Sequence, residues 1–330
     1  MSEAYLSHLV SKSSGLHAKY TFDDIIGKSK AIVELKKQAK SISNSPSTVL
    51  IQGESGTGKE LFAQSIHNNS SRRNKNFVAL NSGAIPKNLI ESELFGYEEG
   101  AFTGARKGGH PGKFELAHEG TLFLDEIGEM SLDMQIRLLR ILQDGRVTRL
   151  GGNKCIATDV RIIASTNKDL KKKVKKGSFR KDLYYRLSVI PLYLPPLRER
   201  EGDIELLVQH FLKEKSRKLN KPIPKIRDDI YEKILNHSWP GNVRELENCI
   251  ENIVNLEGDS SFSFDEEKTR NYKDTTCFNY DMCTLREWEK RAILACVEKC
   301  DGNITKAASI LGINRCTLYS KLDEYKKKEV

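Results

Sequence analysis

Apolar residues gather in five short runs along the first two thirds of the chain, at 48–52, 77–80, 121–124, 160–165 and 189–194. Each run is too short for a helix and reads as a buried β-strand. Between the runs, apolar positions recur at helical spacing. That alternation predicts an α/β fold, a parallel sheet with helices on both faces. Pro191, Pro195 and Pro196 then punctuate the chain, and residues 203–255 read as all-helical, with Pro240-Gly241 opening the last of these helices. Residues 257–283 lose periodicity. Gly258, several serines and Asp259, Asp265, Glu266 and Glu267 mark a linker. From Thr284 the pattern is helical again. The expected divisions are a polar tail or remnant at 1–20, an α/β core at 21–190, a helical segment at 191–256, the linker at 257–283 and a terminal helical domain at 284–330.

A chain of 330 residues accommodates two or three domains with a sizeable core. No apolar run approaches the length that spans a bilayer. Met1–Tyr5 lacks the basic-then-apolar pattern of an export signal, so a cytoplasmic protein is expected. The seven cysteines (Cys155, Cys249, Cys277, Cys283, Cys296, Cys300 and Cys316) contain no Cys-x-x-Cys pair and read as ordinary reduced thiols. A net charge of +9 favours an anionic partner, nucleic acid first. The cluster Lys171-Lys172-Lys173 with Lys175-Lys176 is read as a solvated helix face in preference to a DNA patch.

Candidate chemistry begins at 53–60. Gly53-Glu54-Ser55-Gly56-Thr57-Gly58-Lys59-Glu60 follows the apolar run Thr48–Ile51. A strand feeding a glycine-rich turn that opens a helix aims backbone N–H groups and the positive helix end at phosphate oxygens. Lys59 supplies the point charge for the β- and γ-phosphates. Glu60 stands where the usual pattern has Ser or Thr, so the hydroxyl that binds Mg²⁺ must be replaced by Thr57 or by waters.

The run at 121–124 continues into Asp125-Glu126. Acids at the C-terminal edge of a parallel sheet project where ligands bind. Asp125 suits a hydrated Mg²⁺, and Glu126 suits a general base that polarises an attacking water. Asn167, after the strand ending in Ser165-Thr166, is a polar group able to orient that water or sense the γ-phosphate; a turn-forming Asn carries equal weight there.

Between the phosphate loop and the acid pair lies Gly100-Ala101-Phe102-Thr103-Gly104-Ala105, preceded by Glu91-Ser92-Glu93-Leu94-Phe95-Gly96-Tyr97. With it, the stretch from about 21 to 255 resembles the central domain of bacterial sigma-54-dependent activators, which are AAA+ ATPases. That family's phosphate loop also places Glu after the lysine. The resemblance implies an AAA+ core with an all-helical lid, hexameric rings built from dimers, and ATP with Mg²⁺ as cofactors. It implies that residues 100–105 tip a loop contacting sigma-54. It places Ile25 and Ile26, in Phe22-Asp23-Asp24-Ile25-Ile26-Gly27, beside adenine. Asn81 would be a switch holding Glu126, and Arg180 and Arg186, in Phe179–Leu187, would be fingers donated to a neighbouring subunit. Arg244, in Trp239-Pro240-Gly241-Asn242-Val243-Arg244-Glu245-Leu246, would report the nucleotide from the lid.

Residues 302–322 have helix-turn-helix spacing. Ala307, Ala308 and Leu311 form the inner face of the first helix, Gly312 permits the turn and Ile313 plugs the corner. Leu318 and Leu322 bury the second helix, leaving Asn314, Arg315, Thr317, Ser320 and Lys321 outward for DNA. Residues 284–330 hold ten Lys/Arg against seven Asp/Glu, a balance of +3. This segment resembles the Fis-type DNA-binding domain of the same family. Leu285, Trp288, Ala292, Ile293 and Cys296 of the preceding helix form an apolar stripe, read as core or dimer face.

The resulting expectation is an ATP-driven transcriptional activator that binds upstream enhancer DNA and remodels sigma-54 RNA polymerase holoenzyme. A general AAA+ remodeller accounts for the ATP site but not for residues 100–105 or the terminal helices. A DNA-binding regulator with a scaffold-only core leaves Lys59, Asp125, Glu126 and the two arginines unexplained. The roughly twenty residues before Phe22 are too few to fold alone, which implies either a piece of a longer protein or regulation by a separate partner.

Overall fold

All five apolar runs are strands of one parallel sheet: β1 (Val49–Gln52), β2 (Phe77–Asn81), β3 (Thr121–Asp125), β4 (Arg161–Thr166) and β5 (Ile190–Tyr193), in the order β2-β3-β4-β1-β5. The computed structural model describes residues 16–86, 89–258, 285–300 and 303–326. Most of the tail expected at 1–20 and nearly all of the linker expected at 257–283 lie outside the described residues.

Strand side chains alternate between two cores. Val49, Ile51, Phe77, Phe123, Ile163 and Leu192 face one, joined by Ile32, Leu35 and Ala39 of the helix Lys30–Ser41 and Phe62, Ala63 and Ile66 of the helix Lys59–Asn68. Leu50, Val78, Leu80, Leu122, Leu124, Ile162 and Ala164 face the other, beneath Met134, Leu138 and Ile141 of the helix Leu132–Asp144 and Leu183 and Leu187 of the helix Lys181–Leu187. A strand covered on both faces has no solvated side, which is why the runs show continuous apolarity.

β5 pairs with β1 from Val49↔Ile190 to Gln52↔Tyr193. The boundary expected at 190/191 therefore falls inside a strand, and the lid begins after Tyr193. Pro191 is tolerated because β5 is the edge of the sheet. The lid comprises the helices Asp203–Leu219, Asp228–Asn236 and Asn242–Asn255, packed around Leu207, Val208, Ile234, Trp239, Leu246 and Ile250. Core and lid form one compact unit, and residues 285–326 belong to a second.

The second unit has three helices, Leu285–Lys299, Ile304–Leu311 and Arg315–Lys326. Asn303 caps the middle helix, accepting the Lys306 N–H at 3.1 Å, and Gly312 ends it with φ 66°. Ile293, Cys300, Ala307, Ala308, Leu318 and Tyr325 make the core, with Cys296, Leu311, Ile313 and Leu322 packed against it. Ala292 is exposed, so it does not belong to the buried stripe. The side chains of Leu285 and Trp288 lie outside the described set.

Candidate active site

β1 runs into Gly53, and the turn closes at Gly58 as the helix Lys59–Asn68 begins. Gly56 and Gly58 adopt φ of 77° and 96°, the left-handed region where a side chain is strained. A Cβ on Gly56 would also overlap the carbonyl oxygen of Gly241 in the lid. Lys59 Nζ donates to the carbonyl oxygens of Gly53 at 3.0 Å and Glu54 at 2.8 Å. Burial pulls the Lys59 ammonium below its ordinary pKa, while the charges of Asp125 and Glu126 act in the opposite sense. Thr57 is buried and its hydroxyl donates to the Glu54 carbonyl at 2.9 Å. Glu60 accepts from Gln64 Nε2 at 2.9 Å, one turn further along the same helix.

Asn81 and Asp125 end adjacent strands in register. Asn81 Nδ2 donates to Asp125 Oδ2 at 3.1 Å, and the buried Ser165 hydroxyl donates to Asp125 Oδ1. Glu126 adopts φ 54°, and its carboxylate lies over Gly83, where a Cβ would collide with Oε2. Left-handed backbone is strained for a non-glycine residue. The resemblance placed Asn81 on Glu126. Here its amide nitrogen bonds Asp125, because strand register puts those two side by side, and Asn81 Oδ1 accepts the N–H groups of Gly83 and Ala84 at 2.8 and 3.1 Å. Asn167 is exposed and does not line the cleft.

A cleft of about 850 Å³ opens between the sheet edge and the lid. Ser55–Glu60, Asn81, Asp125 and Glu126 supply its polar lining; Ile25, Ile26, Leu207 and Phe211 supply apolar walls suited to a base; Arg244 enters from the lid. The size and the mixture suit a nucleotide.

Two polar junctions bind this cleft together, and neither was apparent from local sequence. Arg198 holds Glu54 through both carboxylate oxygens, at 2.6 and 2.8 Å, and this bond keeps the Glu54 carboxyl below its ordinary pKa. Asn242, fully buried at φ 54°, donates to Glu54 Oε2 at 3.1 Å and to the Ser55 carbonyl at 3.0 Å, and accepts the Leu197 N–H at 2.7 Å. The Val243 N–H reaches the Gly56 carbonyl at 3.1 Å. At the second junction, buried Asp203 accepts the N–H groups of Lys28 and Ser29 at 2.6 and 2.8 Å and pairs with buried Arg200, which reaches the Ile26 carbonyl at 2.9 Å. The bonds that tie Glu54 and Ser55 to Arg198 and Asn242, and Ile26, Lys28 and Ser29 to Arg200 and Asp203, span well over a hundred residues, so no short motif could announce them.

Residues 100–105 sit on a ribbon whose stem pairs Gly96–Tyr97 with His110–Pro111. Gly100 and Gly104 have φ of 80° and 94° with open space around them. Phe102 is 42% exposed and meets the Tyr97 ring edge-on at 4.9 Å, so it is available at the surface. A second ribbon, Arg146–Thr148 with Cys155–Ala157, lies alongside. Leu150 exchanges backbone bonds of 2.9 Å with Gly96 and Glu98, and Arg149 grips Glu115 at 2.7 and 2.8 Å. Arg180 and Arg186 do not line the cleft of their own chain. Arg180 pairs with Asp182 at 2.7 Å, and Arg186 donates to the Leu142 carbonyl.

In the second unit Asn314, Arg315, Thr317 and Ser320 are exposed at and along the last helix. Lys321 differs: it is half-buried and ion-paired with Glu289 at 2.7 Å, because it faces the first helix of the unit. Tyr319, 57% exposed, joins the outward set and was not singled out from sequence.

Fold and cleft together define a nucleotide-binding AAA+ core with a lid, accompanied by a helix-turn-helix unit. Family profiles agree along the chain: the sigma-54 interaction domain at residues 25–193, the AAA+ ATPase lid domain at 198–268 and the bacterial regulatory protein, Fis family, at 284–325. The chain is 68% identical over 326 residues to a signal-transduction and transcriptional-control protein of Clostridium beijerinckii, covering 97% of this chain and 51% of that one. It is 44% identical to the regulatory protein AtoC of Escherichia coli K12, covering 94% and 69%. The crystal structure of NtrX from Brucella abortus in complex with ATP is similar at TM-score 0.67 and 35% identity, covering 96% and 72%. The chain belongs to the sigma-54-dependent transcriptional activators, with an AAA+ ATPase domain and a Fis-type DNA-binding domain. It spans about half the length of the Clostridium beijerinckii relative.

Proposed function

We propose that this protein binds upstream enhancer DNA through residues 303–326 and hydrolyses ATP to remodel sigma-54 RNA polymerase holoenzyme through residues 100–105. The carrying observation is the cleft that gathers the phosphate loop, Asp125 and Glu126 on one sheet edge, with Arg244 opposite. ATP would lie with its base between Ile25, Ile26 and Phe211 and its phosphates on Gly53–Lys59. Glu126 is the base for the attacking water. Asp125 and Thr57 fit Mg²⁺. Asp125 Oδ1 accepts both the Ser165 hydroxyl and the Glu126 N–H, Oδ2 accepts the Asn81 amide, and Thr57 donates its own proton away, so Asp125 Oδ2 and the Thr57 hydroxyl retain lone pairs of the hard-oxygen type that ion prefers. Bound there, Mg²⁺ would neutralise charge on the phosphates.

Asn81 touches Asp125 and lies beside Glu126, so it can couple loss of the γ-phosphate to the chain that follows β2 and leads toward the 100–105 ribbon. Arg180 and Arg186, absent from their own cleft, would complete the site of a neighbour in a hexameric ring. A cytoplasmic location follows from these partners.

Open-complex formation by sigma-54 holoenzyme, with ATP and with wild-type, Thr103→Ala or Glu126→Ala protein, tests the proposal. Wild type should open the promoter. Thr103→Ala should hydrolyse ATP without opening it, and Glu126→Ala should bind ATP and do neither. Hydrolysis by wild type without opening would sink the polymerase assignment, and absence of hydrolysis at high protein concentration would sink the ATPase role.

A further inference from the structure

Residues 168–176 hold six lysines against one aspartate, +5 within nine residues of a chain whose total is +9. The basic character that suggested nucleic acid therefore lies mainly on the ATPase core; the terminal domain contributes +3. The short helix Leu170–Lys175 is anchored by buried Leu170 and by Val174, both packed into the core. Lys171, Lys172, Lys175 and Lys176 are all exposed. Asp169 spends its carboxylate on the Lys172 N–H at 3.0 Å and lies 3.5 Å from the Lys172 ammonium, and Glu129 faces Lys168 and Lys173 at 3.7 and 4.0 Å. Among the described residues no carboxylate pairs with Lys171, Lys175 or Lys176.

A solvated face normally mixes signs. Here Lys171 and Lys175, and Lys172 and Lys176, are like charges four apart, a spacing that destabilises a helix. No aromatic side chain interrupts residues 167–178, so the face offers no stacking platform for bases. Lysines are compact point charges without the planar fork that reads base edges. A row of exposed ammonium groups, of which Lys172 alone has a carboxylate beside it, fits a regular line of phosphates contacted irrespective of sequence.

We propose that Lys171, Lys172, Lys175 and Lys176 form a second, sequence-independent contact for the backbone of duplex DNA, separate from the helix-turn-helix unit. That assignment favours the DNA patch over the solvated face, the two readings that the sequence offers for this cluster.

The test uses the full chain and a fluorescent duplex of random sequence, with binding followed by anisotropy across a potassium chloride series. Replacing the four lysines together by Gln keeps length and helix propensity. The slope of log affinity against log salt should become shallower by about 3, and low-salt binding should weaken on the order of a hundredfold. A control removes four other exposed lysines, Lys30→Gln, Lys37→Gln, Lys154→Gln and Lys233→Gln, and should retain a slope much nearer wild type. Thermal unfolding of the patch variant should be no lower than wild type, since like-charge pairs have been relieved. Equal slopes in both quadruple variants would reduce the effect to net charge and overturn the proposal. An unchanged slope in the patch variant would also overturn it, leaving the face to an acidic protein or to solvent.

Discussion

His67 shows how a single buried side chain sets the acid limit of this core. It is 1% exposed on the phosphate-loop helix, with Nδ1 2.8 Å from the Thr121 hydroxyl. Burial pushes its pKa down to about 4 from the ordinary 6.5. The folded protein therefore keeps His67 neutral where the unfolded chain takes up a proton. Above pH 6.5 the difference contributes no slope. As pH falls from 6.5 toward 4, it should remove about 3 kcal/mol of stability. Urea midpoints across that window check this, and His67→Phe should flatten this part of the slope while leaving the Thr121 hydroxyl unpaired. Cys249 is the inert counterpart: burial in the lid pushes its thiol up to about 12, so it should resist alkylation in the native state.

At the scale of elements, the junction of phosphate loop and lid allows two kinds of bond to be ranked. The Arg198–Glu54 pair is bidentate, but both partners are more than 40% exposed. Solvent screening limits such a pair to about 1 kcal/mol at most. Asn242 is fully buried with partners on the phosphate loop, Glu54 and Ser55, and at Leu197 ahead of the lid helices, so deleting its amide strands several polar groups. Asn242→Ala should cost about 2–4 kcal/mol, combining the unmet bonds with the left-handed backbone. Asn242→Gly tolerates that backbone and should lose only the bonding part. Calorimetric unfolding with nucleotide titration would show the order, Asn242→Ala worst and Arg198→Ala mildest. Equal losses would mean the exposed pair is stronger than screening allows.

The elements themselves were the most legible part of the sequence. Buried strands announce themselves by apolar runs, and the phosphate loop and acid pair by residue types fixed in short windows. Asn242, Asp203 and Ser165 were illegible because their meaning depends on partners brought in by folding across long separations. Lys321 misled for a related reason. Its spacing places it on the outer part of the last helix, but Glu289 on another helix draws its ammonium inward.

On the scale of the whole molecule, the cleft carries cations of its own in Lys59 and Arg244, while Arg180 and Arg186 lie off it. Hydrolysis should then depend on assembly. Specific ATPase activity should rise with protein concentration, and Arg180→Ala should lose at least a hundredfold in turnover while binding nucleotide within a few-fold of wild type. Mixing Arg180→Ala with Glu126→Ala should restore part of the activity, because the first offers intact bases and the second intact arginines. A mixture no more active than its components would place the arginines in a structural role.

The ammonium of Lys59, resting on two carbonyl oxygens of its own loop, gives the cycle a built-in rival for the phosphate. On the proposed function, a nucleotide phosphate would compete with those two carbonyl oxygens for the ammonium, a competition that lowers affinity and eases release of product.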